Sequence, residues 1–316
     1  GTIQSTLLES AVGVVRLGTS RTLALDWTAA VRLDGTVEGW VRQSGNDDWA
    51  RVAISDLAGM SVSTSAIASH ADSVAILAVD RSNQLLRLFV WQPQPHGQPK
   101  LLDVVTDIDG ITANLVVDVS IAFHGKSLLV AAALSGDTAP KIVRGTSDGA
   151  GNWTFVEIPI YEKSNGTSSP ISGSEEAARS VSLGFFGATP TLAAIKSEGK
   201  HWWLAQLNLA GTQFDRLDLV PIPVPTENSS AVTADRVRLI SRPNGKQGLP
   251  IGCRPGWVVI ANESGSLDLW LSTTERILHS VDERLAASFR PEEIRHPLVR
   301  LSGHPGGVSD IDVAWI

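Results

Sequence analysis

Residues 29–40 read Ala-Ala-Val-Arg-Leu-Asp-Gly-Thr-Val-Glu-Gly-Trp. An apolar run rich in alanine and β-branched residues enters an Asp-Gly turn, and a second segment of alternating polarity follows the turn. β-branched residues favour strands, and an Asp-Gly pair favours a tight turn between two antiparallel strands. The stretch therefore predicts a β-hairpin.

The same two-strand pattern returns four more times along the chain. The later copies are Val74–Trp91, Leu128–Gly136, Leu192–Leu204 and Trp257–Trp270. A further strand candidate precedes each of these copies, at Val62–Ile67, Leu115–Phe123, Val181–Phe186 and Val237–Ile240. A fourth strand candidate follows some of the copies, as at Trp49–Ile54 and Phe155–Ile158. Copies that begin about 45 to 65 residues apart have the spacing of four-stranded blades.

These repeats predict an all-β fold, a β-propeller of about six four-stranded blades that occupies residues 1–316 as a single domain. The two chain ends supply the sixth blade in this interpretation. Asp310–Trp315 would form an inner strand, and Ala11–Leu17 would close the ring by pairing with it, which protects exposed sheet edges. The alternative is a two-sheet sandwich whose repeats are similar by accident.

Two segments depart from the repeat. Glu162–Glu176 is rich in serine and glycine and is expected to form a mobile loop. Thr274–Phe289 carries apolar residues near helical spacing, with Pro291 beyond its end, and predicts one helix. That helix would cover one end of the core or act as a lid over a ligand.

The composition of the chain narrows the classes of partner that the protein is expected to bind. Hydrophobic residues make up 43% of the chain and charged residues 19%, which suits a large core, and the net charge is −7. An acidic chain without a Lys/Arg cluster is a poor binder of phosphate backbones, so we expect no nucleic-acid partner. No apolar run approaches the ~20 residues that span a bilayer, so we expect no membrane association.

The sequence is compatible with more than one cellular compartment. Gly1–Ser10 has neither a basic nor an apolar signal-peptide region, so no signal peptide is expected within this sequence. Four Asn-x-Ser/Thr sequons are compatible with secretion, although such triplets also arise by chance in polar loops; they begin at Asn152, Asn165, Asn228 and Asn262. The oligomeric state is unknown.

Metal and catalytic signatures are missing from the sequence. Cys253 is alone, which excludes an internal disulfide and a multi-cysteine zinc site. Surface or loop positions are expected for the histidines, none of which shows helical metal-pair spacing: His70, His96, His124, His201, His279, His296 and His304. We expect no metal and no cofactor, and whether the protein is an enzyme stays open.

Two local motifs resemble known propeller families. Residues 146–153, Thr-Ser-Asp-Gly-Ala-Gly-Asn-Trp, resemble the Asp-box of sialidases and other propellers, with Ala150 at the expected glycine. The resemblance implies a structural turn in which Asp148 and a hydroxyl bond the turn amides and Trp153 packs between blades. Residues 30–37, taken with Ser44–Val52, resemble a tectonin or tachylectin-type lectin repeat.

Tryptophans beside carboxylates suggest a binding site. Trp40 and Trp270 each follow a turn glycine by five residues, Glu38 and Asp268 follow the same glycines by three, and Trp202 lies near the matching place in the fourth repeat. An indole face packs on the C–H face of a sugar ring while a carboxylate accepts hydroxyl hydrogen bonds. The alternative is that these indoles belong to the core between blades.

The favoured hypothesis is a non-enzymatic, lectin-like recognition propeller that binds carbohydrate or another small molecule in the central funnel or between blades. One alternative is an enzyme that uses the central channel, either glycoside-processing or a fungal-type cyclase or isomerase, because such sites leave no linear motif. The other is a protein-interaction scaffold like the WD-repeat propellers, although no Trp-Asp dipeptide ends a strand.

Overall fold

The computed structural model describes residues 14–21, 25–32, 34–43, 49–54, 60–70, 73–92, 94, 100–136, 138–164, 167–186, 189–221, 234–240, 256–262, 267–272 and 299–301. These residues form 22 strands and two short 3₁₀ turns, at Ala113–Leu115 and Ser174–Glu176. Within these ranges no helix has the length and hydropathy of a membrane span.

The strands form five sheets that follow one another along the chain. Sheet 1 contains β1 (Val14–Arg21), β2 (Leu25–Arg32), β3 (Val37–Gln43) and β4 (Ala50–Ile54), and sheet 2 contains β5 (Val62–His70), β6 (Ser73–Asp80), β7 (Leu85–Gln92) and β8 (Lys100–Val105). Sheet 3 contains β9 (Val116–His124), β10 (Ser127–Leu134), β11 (Lys141–Ser147) and β12 (Trp153–Glu157).

Sheet 4 is larger and contains β13 (Ile160–Ser164), β14 (Thr167–Pro170), β15 (Ala178–Phe186), β16 (Thr189–Lys196), β17 (His201–Leu207) and β18 (Phe214–Pro221). Sheet 5 contains β19 (Ala234–Ile240), β20 (Gly256–Asn262), β21 (Leu267–Ser272) and β22 (Val299–Leu301). The five predicted hairpins all match adjacent strand pairs, from β2–β3 to β20–β21.

The sheets are the blades of a β-propeller. The first strand of each four-stranded unit lies beside the first strand of the next, in the order β1, β5, β9, β15 and β19. Strands placed this way surround a common axis, with the later strands of each blade farther out. The sequence therefore predicted the fold class correctly, and the sandwich alternative is wrong.

The count of about six blades stays a prediction. The structure describes five blades, and Asp310–Trp315 lies outside the described residues, so the pairing of the two chain ends stays a prediction too. The part of Ala11–Leu17 that is described, from Val14 onward, belongs to β1 and pairs with β2. The assignment of residues 1–316 to one domain is likewise untested.

Apolar layers between neighbouring blades form the core. The second strands β6 and β10 are buried along almost their whole length because each lies between two adjacent blades. Small residues such as Ala131, Ala132 and Ala133, all 0% exposed, let the blades approach closely. Burial on both faces explains why these strands read as continuous apolar runs rather than alternating ones.

The segment Glu162–Glu176 is not the loop that its composition predicts. It contributes most of the β13–β14 hairpin, and β13 pairs in parallel with β18, which extends blade 4 to six strands. Arg216 of β18 donates hydrogen bonds to Glu162 and to Glu176, which fastens the added segment to the blade. The predicted helix Thr274–Phe289 lies outside the described residues.

Each inner strand carries a β-bulge near its beginning. One residue is inserted relative to the pairing with the second strand, at Val15, Ser63, Val117, Arg179 and Asp235. A bulge at the same register in five successive blades shows that the blades are structural repeats. Counting from the bulge residue therefore defines equivalent positions in all five blades.

Candidate functional site

Glu38 and Trp40 occupy alternate positions of β3. Trp40 is 7% exposed, so its ring packs inside the protein. The Glu38 carboxylate accepts hydrogen bonds from Arg32, at 2.9 Å, and from Arg51, at 2.6 Å. Between them, a Cβ at Gly39 would lie 3.1 Å from the Trp27 ring, so the glycine makes room for that buried indole.

The remaining predicted residues lie in other blades. Trp202 is the second residue of β17 in blade 4 and is 2% exposed. Trp270 and Asp268 lie in β21 of blade 5, where the structure gives their strand pairing but not their side chains. Inner-strand contacts separate blade 1 from blade 4 by two blades. A shared binding role for the five residues stays a prediction, and the burial of both described indoles fits the core alternative.

Residues 147–153 form a tightly bonded turn between β11 and β12. Asp148 Oδ1 accepts hydrogen bonds from the amides of Ala150 and Asn152, and the Gly149 amide donates to Ser147 Oγ. These bonds hold the pKa of the exposed Asp148 below its ordinary value, led by its hydrogen bond from the Asn152 side chain. The Trp153 indole Nε1 lies 3.4 Å from Asp103 Oδ2 on β8, which links blade 3 to blade 2.

The inner strands of blades 3, 4 and 5 are joined by side chains. Asp118 Oδ2 accepts from the Val181 amide at 3.1 Å, and Ser120 Oγ accepts from the Leu183 amide at 2.8 Å. One blade further, Ser180 and Ser182 accept from the amides of Val237 and Leu239. The acceptors are the first and third residues after each bulge, so this ladder of hydrogen bonds repeats with the blades.

The ladder includes a buried ion pair. Arg238 Nη1 lies 3.5 Å from Asp118 Oδ2, and the two side chains are 3% and 1% exposed. Asp118 Oδ2 also accepts from Ser180 Oγ at 2.7 Å, while Arg238 donates to the Val237 carbonyl at 2.7 Å. Charged groups that are buried and hydrogen-bonded from several sides fasten strands together. We therefore assign this cluster to the architecture of the propeller.

The opposite ends of the inner strands carry half-exposed rings. His70, which ends β5, contacts Phe123 of β9 with ring centroids 5.8 Å apart. His124, which ends β9, contacts Phe185 of β15 at 6.3 Å. In each pair the histidine is the seventh residue after the bulge of its own blade, and the phenylalanine is the sixth residue after the bulge of the next blade. Both histidines are exposed and both phenylalanines are half-buried, so the rings lie at the surface around the axis.

The charge of Arg144 acts on the histidine of the second ring pair. Arg144 on β11 donates a hydrogen bond from Nη2 to the Gly211 carbonyl in blade 4, at 2.7 Å. Partial desolvation by its neighbours lowers the pKa of the His124 imidazole below its ordinary value, and the positive charge of Arg144 lowers it further. Arg144 therefore acts electrostatically on the imidazole that contacts Phe185.

The groups at this end can make apolar, hydrogen-bonding and ionic contacts. Phenyl faces offer apolar contact, imidazoles offer hydrogen bonds, and a guanidinium offers paired donors. Within the described ranges no three His, Cys, Asp or Glu residues are grouped so as to hold a metal ion. We call His124, Arg144 and Phe185, together with the Gly211 carbonyl, the blade 3–4 site.

Sequence reasoning missed this site. It expected His70 and His124 at loop or surface positions, and their exposure fits that expectation, but the pairing with a phenylalanine of the next blade was not foreseen. The sequence signal for the site is a shared spacing. Each histidine is the last residue of an inner strand, and each phenylalanine stands one position before the equivalent place in the inner strand of the next blade. An alignment of the repeats by their bulges would have found it.

Comparisons with known proteins give no family. No protein-family model matches the chain, and no curated protein matches it. Among solved structures, the N-terminal domain of Nup159 matches with 13% identity and a TM-score of 0.41, over 81% of this chain and 64% of that one. A mutant of the Bombyx mori GH32 β-fructofuranosidase BmSUC1 in complex with sucrose matches with 10% identity and a TM-score of 0.42, over 78% and 55%. The chain thus spans less than two thirds of either structure.

Proposed function

We propose that this propeller is a non-enzymatic recognition protein, lectin-like in build, whose ligand is a carbohydrate or another small molecule. The observation that carries the proposal is the repeated pair of half-exposed rings, His70–Phe123 and His124–Phe185, at the inner ends of neighbouring blades. Both phenylalanine rings pack against the core between blades and are also partly exposed to water, so their exposed parts offer an apolar contact surface around the axis.

The ring pairs match the chemistry of a sugar. A phenyl face packs against the C–H face of a pyranose, and an imidazole both donates and accepts hydrogen bonds with hydroxyl groups. The resemblance of residues 30–37 and 44–52 to a lectin repeat supports a lectin-like build, and the Asp-box-like turn at residues 146–153 supports the propeller fold alone. Neither motif supplies a binding residue in this proposal.

Binding on a glycan array and thermal shifts with simple sugars test the proposal. Phe123→Ala and Phe185→Ala should each weaken binding about tenfold, because each removes one ring platform. Val156→Ala is the matched control, since Val156 is 61% exposed on the outer strand β12 and far from the axis. A folded protein that binds no glycan and no small sugar would refute carbohydrate as the ligand.

A further inference from the structure

The two ring pairs differ at one equivalent position. The fifth residue after each bulge pairs with a residue of the second strand, and that residue pairs in turn with a residue of the third strand. In blades 1 to 5 the third-strand residue of this row is Val41, Val90, Arg144, Gln206 and Leu271. Four blades have an uncharged residue there, and blade 3 has an arginine.

Arg144 and His124 lie on the same face of blade 3. Ala122 pairs with Leu129, and Leu129 pairs with Arg144, so these three side chains form one row across the sheet. His124 is two residues from Ala122 and so shares its face. Ala122 and Leu129 belong to the apolar layer between blades 3 and 4. Arg144 and His124 therefore both face the blade that supplies Phe185.

The guanidinium has hydrogen-bonding capacity beyond its contact with blade 4. An arginine has five N–H donors, and the Gly211 carbonyl accepts from one of its two Nη nitrogens. Gly211 has a φ of +69°, and a Cβ there would lie 3.4 Å from Nη2, so glycine lets the turn approach the guanidinium. Arg144 is half-buried, with part of its surface open to solvent.

We propose that the blade 3–4 site binds a small ring-bearing ligand through an anionic substituent, a carboxylate or a sulfate, as in an acidic sugar. The ring packs on Phe185, Arg144 pairs with the anion, and His124 donates a hydrogen bond to it. Arginine holds planar oxyanions with two parallel hydrogen bonds, which makes it suited to this task. This inference rests on the proposed function and adds the ligand class.

The equivalent position between blades 2 and 3 supplies an internal contrast. His70 and Phe123 repeat the ring contact, but Val90, 5% exposed, takes the place of Arg144. That pair should bind neutral rings without preference for an anion. The chain as a whole carries a net charge of −7, so a preference for anions requires a local cation rather than the general field of the protein.

The test is calorimetric titration of the full chain with matched sugars: glucose with glucuronic acid, galactose with galacturonic acid, and N-acetylglucosamine with its 6-sulfate. In at least one pair the acidic member should bind about tenfold more tightly, and the preference should shrink when NaCl rises from 20 to 500 mM. Arg144→Val should bring the ratio close to one, and Arg144→Lys should retain part of it.

Arg81→Gln is the control for charge. Arg81 is exposed in the turn between β6 and β7, so its loss removes one positive charge away from the site. The acid preference should survive this substitution. Circular dichroism and thermal melting should show that every variant is folded.

Two failures are distinguishable. If sugars bind with an affinity that Phe185→Ala lowers, but the acidic member is never preferred or Arg144→Val leaves the preference intact, the anionic ligand class is refuted and recognition stands. If no member of any pair binds the folded protein, and the glycan array is blank, the proposed carbohydrate recognition fails as well.

Discussion

The blade 2–3 interface and the blade 3–4 interface have the same framework and different polar contents. Each buries an apolar layer, and each ends at the axis in a histidine that contacts a phenylalanine of the next blade. In the blade 3–4 interface, Asp118 and Ser120 of one inner strand accept hydrogen bonds from backbone amides of the next inner strand. In blade 2 the equivalent positions are Thr64 and Ala66. The repeat preserves packing, whereas divergence at a few equivalent positions gives one interface its own chemistry.

The largest difference between the interfaces should appear in stability. Asp118→Ala removes the acceptor of the Val181 amide and the carboxylate that lies 3.5 Å from the buried Arg238 guanidinium, which should lower the free energy of unfolding by about 3–5 kcal/mol. Thr64→Ala is the matched substitution in blade 2 and should cost about 1 kcal/mol. Urea denaturation measures both, and equal losses would show that the ladder does not distinguish the two interfaces.

A single rung of the ladder should have a smaller effect. Ser120→Ala leaves the buried Leu183 amide without its acceptor and should cost about 1–3 kcal/mol in the same assay. Thr154→Ala, on the exposed face of β12, controls for loss of a hydroxyl group and should change the unfolding free energy little. A Ser120→Ala protein as stable as the control would mean that this hydrogen bond is dispensable.

The electrostatic contrast should appear in the titration of His124. Arg144→Val removes a positive charge that lowers the pKa of His124, so the pKa should rise in the variant toward the ordinary histidine value. Because the folded state holds the pKa down, acidification below about pH 6.5 protonates the unfolded chain first and destabilises the wild type. NMR titration measures the pKa, and an unchanged or lower value in Arg144→Val would refute this coupling.

The smallest effect is expected at the turn after β11. Asp148→Ala removes the acceptor of two turn amides and of the Asn152 side chain, but the turn is exposed, so the melting temperature should fall less than in Ser120→Ala. Since the folded state lowers the pKa of Asp148, this contribution should be present above about pH 3.8 and lost on further acidification. A loss that persists unchanged at pH 2 would contradict this origin.

Much of the fold was predictable because the repeat is local. Strand, polar turn and second strand lie within about 20 residues in each copy, and the turn residues fix the hairpin. The β13–β14 hairpin was missed because its serines and glycine are typical of loops. Its stability comes instead from parallel pairing with β18, about 50 residues away, and from Arg216.

The sites were less predictable because they join residues from different blades. Asp118 and Arg238 are far apart in sequence, and nothing local predicts that they meet. Trp40 and Trp202 attracted attention through their residue type, yet both are buried, as repeated indoles between packed blades tend to be. The bulges that align the repeats arise from pairing register, which residue types alone do not reveal.

The most direct test follows the two histidines in one experiment. Imidazole NMR signals of His70 and His124, assigned with His70→Gln and His124→Gln, are recorded while the chain is titrated with the acidic sugar that binds most tightly in the matched panel. The His124 signals should shift and saturate at the calorimetric affinity, and those of His70 should move much less. Equal shifts at both histidines, or no shift at His124 at saturation, would contradict an anion site between blades 3 and 4.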